Sequence, residues 1–239
     1  MKKLIVLVII SLIVVAGAGV IAIYPASTQQ EQQELEKLDK AQDKNSLKWF
    51  ARKAKLEGKQ DVVIPAPSVE YLGLEDSPEQ ALETYSLVVA QPVRHMSLAP
   101  YEDKIVTWYK FRILETISQR PPCPVCPGLT LEPPQEMLPL KDDEFLLSKN
   151  GGSVSIDGVK VTMVEPALPP FSNGKKYLLF ISRNPSGVAN LWAGPYGVYT
   201  VTPEGLIEPV NKEPHPIKDT LKERFNNSLD RLKQQFKRK

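Results

Sequence analysis

Cysteine and histidine are nearly missing: the 239 residues hold two of each. A pair of Cys cannot build the disulfide framework of a small secreted domain. His95 and His215 stand far apart and far from Cys123 and Cys126, so sequence neighbours cannot supply the ligand set of a closed zinc site. Neither His is near a recognisable nucleophile or paired carboxylate, so each reads as a surface residue beside a turn, not a general base. Glycine is scarce, 13 residues against 22 Pro, and a chain so rich in Pro has many turns and loops. Asn150-Gly151-Gly152 lacks the Lys-Ser/Thr and following helix of a phosphate cradle and reads as a turn between strands. Net charge is only +2, which disfavours nucleic acid as a partner. No cofactor or metal is implied.

Against these absences stands one long apolar run. Leu4 to Ile23 carries no charge and only Ser11 as a polar break, with Lys2 and Lys3 ahead of it. As a helix it would span about 30 Å, the hydrocarbon thickness of a bilayer. Two readings follow. In one, residues 1–24 are a retained transmembrane anchor, favoured by the uninterrupted length and by Tyr24 at its end. In the other they are a signal peptide cleaved near Ala16-Gly17-Ala18, which leaves a secreted protein. Both place the bulk of the chain outside the cytoplasm, because the Lys pair precedes the segment and Glu31, Glu34 and Glu36 follow it.

Residues 25–74 read as a helical stalk and a Pro-containing linker. Leu35, Leu38, Leu47, Phe50 and Ala54 recur at loosely helical spacing without a persistent heptad, which describes a solvated juxtamembrane helix. Val62 to Gly73 reads as extended linker. Asp76-Ser77-Pro78-Glu79 starts a short helix through Glu83.

Strand signals fill residues 75–211. Tyr85 to Val93 is apolar and closes near Pro92, and Ile105 to Ile117 alternates most clearly. Glu144 to Lys149, Ser153 to Ile156, Val159 to Val164, Lys176 to Ser182, Ala189 to Ala193, Gly197 to Val201 and Leu206 to Val210 follow, with Asp157-Gly158 as a tight hairpin turn. The fold class is mainly β, about seven to eight short strands with turns between them, in a barrel or sandwich.

Leu87-Val88-Val89-Ala90-Gln91-Pro92-Val93, then Tyr109-Lys110-Phe111-Arg112-Ile113-Leu114-Glu115, then Gly174-Lys175-Lys176-Tyr177-Leu178-Leu179-Phe180 form an ordered pattern. It resembles a group of uncharacterised bacterial extracytoplasmic β domains and, more distantly, the netrin/TIMP-type OB barrel. The resemblance covers Tyr85 to Val201, rests on core positions and implies a small OB-like barrel. Metalloprotease inhibition is not carried over, because the N-terminal Cys through which those inhibitors act has no counterpart here. Many OB barrels bind oligonucleotides or oligosaccharides on one face, a property of the fold alone.

Cys123-Pro124-Val125-Cys126 lies in the Pro-rich loop 121–139. Outside the cytoplasm a local disulfide is the favoured state; redox-active thiols and metal ligation are the alternatives. The loop reads as long and exposed, a candidate partner surface. Trp192, Tyr196 and Tyr199 cluster near Gly194-Pro195, where aromatics pack a barrel end or form a sugar or peptide platform.

In residues 212–239, Ile217, Leu221, Phe225, Leu229, Leu232 and Phe236 form one helical stripe, with Arg231 and Lys233 among the surrounding basic residues. This reads as one basic amphipathic helix that either docks on the barrel or binds an anionic envelope surface or a partner helix. The chain is therefore expected to be a membrane-anchored extracytoplasmic binding or scaffold module of the bacterial envelope. Its expected partners are the membrane and a protein or envelope polymer. The alternative is an envelope thiol enzyme using Cys123 and Cys126.

Overall fold

The computed structural model of the chain describes residues 33–34, 36–38, 43–67, 78–123 and 131–237. The apolar run Leu4 to Ile23 and Cys126 lie outside them. No helix among the described residues is long and apolar enough to cross a membrane.

The described chain is mainly β, with ten strands in two sheets. In order they are β1 (Asp61–Pro65), β2 (Ser86–Tyr101), β3 (Lys104–Ser118), β4 (Glu144–Asn150), β5 (Gly152–Ile156), β6 (Val159–Val164), β7 (Lys176–Arg183), β8 (Val188–Leu191), β9 (Val198–Val201) and β10 (Ile207–Pro209). The labelled helices are α1 (Leu47–Leu56), α2 (Pro78–Thr84), α3 (Pro216–Phe225) and α4 (Leu229–Lys237).

The larger sheet runs β10-β9-β7-β2-β3-β4-β8, and β8 also pairs with β7. The pairings β7-β2-β3-β4-β8 thus return to their start, antiparallel throughout except β4 with β8. Inside this ring, Phe111 stacks on Phe145 at 5.3 Å, and Phe171 meets Tyr109, Phe111 and Tyr177 edge-on. Val88, Ala90, Leu147 and Leu179 complete that core. Leu87, Val89, Leu178 and Phe180 face the other way, beneath α2, α3 and α4. Strands buried on both sides read as continuous apolar runs, hence Leu87-Val88-Val89-Ala90.

Pro92 does not end β2 as the sequence suggested. It pairs with Phe111 and a register shift follows before Arg94, so the ladder absorbs the missing N–H in a bulge and continues to Tyr101. The Asp157-Gly158 turn joins β5 to β6 as expected, with φ of 50° and 83° at its two residues.

The stalk and linker reading is corrected. Ser46 caps α1 by accepting from Trp49 N at 3.0 Å, and Leu47, Ala51 and Ala54 are buried. They pack on Ile64, Val159, Val161 and Met163, so α1 is a structural layer over the smaller sheet, β1-β6-β5. Val62 to Pro65, expected as linker, pairs in parallel with β6 as part of β1.

The single C-terminal helix is corrected as well. Asn226 and Asn227 take φ of 52° and 51°, left-handed values that Asn tolerates, and they separate α3 from α4. Asn226 N donates to Lys222 O and Asn227 N to Leu221 O, which closes α3 with a C-terminal cap. Ile217, Leu221, Phe225, Leu229 and Leu232 are buried, so the stripe docks on the sheet.

Candidate functional site

β4 begins at Glu144, opposite Arg112, while β3 runs on to Ser118. Where the two part, a cleft of about 310 Å³ opens at one end of the ring. Its floor is Val88 and Ile113. Ser86, Thr116, Gln119, Asp142, Asp143 and Arg183 line the remainder. Ile113 N donates to Asp143 O at 2.7 Å, which ties the 141–143 turn to β3. Arg112 Nε lies 3.8 Å from Asp143 Oδ2 across the surface. Behind Ser86, its hydroxyl accepts from Arg120 N at 3.0 Å; Arg120 Nε is buried and has no hydrogen-bond partner among the described residues. The arrangement offers an apolar floor with charges of both signs around it, suited to binding.

Cys123 reaches this rim: its N–H donates to Arg183 O at 2.8 Å. No disulfide is present among the described residues, and Cys126 lies outside them. The second half of the Pro-rich loop is corrected from exposed to docked. Met137 is fully buried on Val106, Trp108, Leu146 and Val188, the outer face of β3, β4 and β8. Arg94 Nη1 donates to Glu136 O at 2.7 Å and Lys110 Nζ to Pro139 O at 3.2 Å, holding the segment in place.

The aromatic platform is corrected to core. Trp192 and Tyr199 are each 1% exposed, and Phe225 is buried beside them, so none offers a face to a ligand. Burial pushes the Tyr199 phenol well above its ordinary pKa. Phe236 packs against the same cluster, partly buried. Lys233 pairs with Glu115 at 2.6 Å, while Arg231 stays exposed. Of the expected aromatics, Tyr196 keeps a polar contact at the surface. Its hydroxyl donates to Glu213 Oε2 at 2.6 Å, and its ring stacks on His215 at 4.4 Å.

His215 is no surface bystander. Its Nδ1 accepts from Ile217 N at 3.3 Å and caps α3. Burial and the nearby Lys218 ammonium lower its pKa.

A largely buried polar cluster lies across β2, β3 and β4, where Thr107 pairs in register with both Ser97 and Lys149. Thr107 Oγ1 donates to Gly151 O at 2.6 Å, so the 2.8 Å contact with Ser97 Oγ must have Ser97 as donor. Both hydroxyl protons are thereby spent on acceptors that are not bases. Lys149 turns instead to Glu165, at 3.7 Å. Burial pulls its pKa below the ordinary lysine value, an effect that Glu165 opposes. An activated serine or threonine needs a base accepting its proton, and neither Ser97 nor Thr107 donates to one here.

Among the described residues no group of His, Cys, Asp and Glu is placed to hold a metal ion. The chain matches no protein-family model, no curated protein and no solved structure. Sequence reasoning missed the cleft because its walls come from β2, β3, β7 and the 141–143 turn. The one local hint was the charged Lys141-Asp142-Asp143 turn just after the Pro-rich loop.

Proposed function

We propose that the chain is a membrane-tethered binding or scaffold module of the bacterial envelope, its bulk outside the cytoplasm and its ligand held at the mouth of an OB-type barrel. The closed order of pairings β7-β2-β3-β4-β8 supports the barrel reading. The observation that carries the function is the cleft: an apolar floor ringed by Ser86, Thr116, Asp142 and Arg183 where the β3–β4 pairing ends, a place that the mouth of a barrel would offer to a ligand. The hydroxyl chain at Ser97 and Thr107, ending on a backbone carbonyl, favours binding over nucleophilic chemistry. One observation favours the thiol-enzyme alternative: the Cys123 backbone touches the cleft rim at Arg183.

Complementation in the host separates the two readings. With the chromosomal copy removed, Asp142→Arg with Arg183→Glu is expected to fail to restore the wild-type phenotype, whereas Cys123→Ser with Cys126→Ser restores it. The reverse pattern would make the protein a thiol enzyme. Restoration by both variants would end the cleft reading.

A further inference from the structure

Resting on that binding reading, we infer that the cleft takes an extended peptide segment of a partner protein, added as a strand to the open edge of β3 between Leu114 and Ser118. On one side this stretch is paired: Thr116 lies opposite Val88 and Ser118 opposite Leu87. On its other side β4 pairs with β3 only from Val106 to Arg112, and the contact of Ile113 N with Asp143 O closes that ladder. Among the described residues no strand pairs with the rest of that edge. Backbone N–H and C=O groups there form a template for another chain.

Natural proteins usually blunt such an edge with Pro, Lys or β-bulges. Leu114-Glu115-Thr116-Ile117-Ser118 contains no Pro or Lys, and its one charge is already engaged, Glu115 with Lys233 at 2.6 Å. Its bulges at Leu114 and Ile117 lie in the ladder with β2, where pairing continues past them. Leu114 stands at a shift in the β2–β3 register and is 43% exposed, an apolar side chain left beside the open ladder. The edge also borders a cavity, which a bare sheet edge need not do. Ile113, just before the stretch, and Thr116, at its middle, both line the cleft. A strand laid there would turn alternate side chains onto Val88 and Ile113 and expose the others.

The charges narrow the class. Asp142 and Asp143 disfavour a phosphate backbone, and an edge of alternating donors and acceptors matches a peptide better than a sugar ring. Neither Asp142 nor Arg183 has an ion-pair partner among the described residues, so the segment should carry a basic side chain toward Asp142 and an acidic one toward Arg183.

The test uses the full chain in lipid nanodiscs and a display library of peptides about eight residues long, a strand's length. Selected peptides are expected to bind, to share a basic and an acidic position, and to slow hydrogen exchange of the Leu114–Ser118 amides by about tenfold or more at saturation. Thr116→Arg, which fills the cleft, should abolish binding, while Thr116→Val should keep it. Asp142→Lys, on an exposed turn, should change the selected basic position to an acidic one, so the test does not depend on Thr116→Arg folding. Peptides that bind without protecting these amides would overturn strand addition, as would a library that yields no binder. Protection of these amides on self-association, read by sedimentation, would assign the edge to a second copy and also overturn it. In each of these failures, loss of complementation by Asp142→Arg with Arg183→Glu would still stand for the broader binding reading.

Discussion

Lys149 Nζ lies 3.7 Å from Glu165 Oε2, with the two side chains 4% and 7% exposed. The pair joins the end of β4 to the residue after β6, and so links the larger sheet to the smaller one. Removing one partner strands a buried charge. Glu165→Gln is therefore expected to cost about 3–5 kcal/mol in urea unfolding. Lys149→Met with Glu165→Leu removes both charges and should come within about 1–2 kcal/mol of wild type, or exceed it. Equal losses in the single and double variants would show that the ion pair is not what makes this site sensitive.

Gly152 marks the same junction. A Cβ there would lie 2.1 Å from Thr107 Oγ1 and 2.5 Å from Ser97 Oγ, on a backbone with φ of +133°. Gly152→Ala must displace the hydroxyl chain or the β4–β5 turn, and a loss of about 3 kcal/mol or more is expected in the same unfolding assay. Gly158, also at positive φ but with no atom within 4 Å of its added Cβ, is the control. Gly158→Asn should be nearly neutral, because Asn also tolerates that turn position.

His215 makes stability depend on pH. Its Nδ1 must be unprotonated to accept from Ile217 N, and Lys218 stands nearby as a second positive charge. Glu213 faces the same corner but is engaged by the Tyr196 hydroxyl. The folded pKa is lowered from the ordinary 6.5, so the fold favours neutral imidazole. The contribution is present above pH 6.5 and is lost as pH falls through the folded value. Wild type is expected to melt at lower temperature on acidification through this window, with amides of α3 exchanging faster. His215→Asn keeps a capping side chain and should flatten that component. His215→Ala should remove the cap at every pH, at a cost of about 1 kcal/mol.

Local patterns in the sequence carried the strands, and tertiary contacts decided the rest. Val159 to Val164 coincides with β6, and Asp157-Gly158 forms the expected hairpin turn, because alternation and turn chemistry act over a few residues. Nothing local tells a solvated helix from α1, whose buried residues are Leu47, Trp49 and two small Ala. The Asn226-Asn227 break was visible as a pair of residues tolerant of left-handed backbone. The stripe ran across it at unbroken spacing and concealed it. Trp192 and Tyr199 look the same in sequence whether they face a ligand or the stripe of α3. The cleft depends on where β4 stops relative to β3, a pairing outcome that no short motif encodes.

Met137 offers a test of how the Pro-rich segment is held. Its side chain is fully buried against Trp108, whereas the flanking anchors, Arg94 to Glu136 O and Lys110 to Pro139 O, are exposed hydrogen bonds. Exposed bonds of this kind add little, so apolar burial of Met137 dominates the docking. Met137→Ala is expected to destabilise by about 2–5 kcal/mol, the range for emptying a core site. The alternative to a cavity is release of the segment, which uncovers Trp108. With Trp49 and Trp192 replaced by Phe, emission from Trp108 distinguishes them. A red shift with iodide quenching in native buffer means that residues 131–140 have lifted off. Loss of stability with unshifted emission means that the segment stays docked over a void. Arg94→Ala, by contrast, should leave both emission and unfolding close to wild type; Lys110 is kept, because it also pairs with the buried Glu144 at 3.8 Å. A large loss from Arg94→Ala would show that a polar anchor, not Met137 alone, holds the segment down.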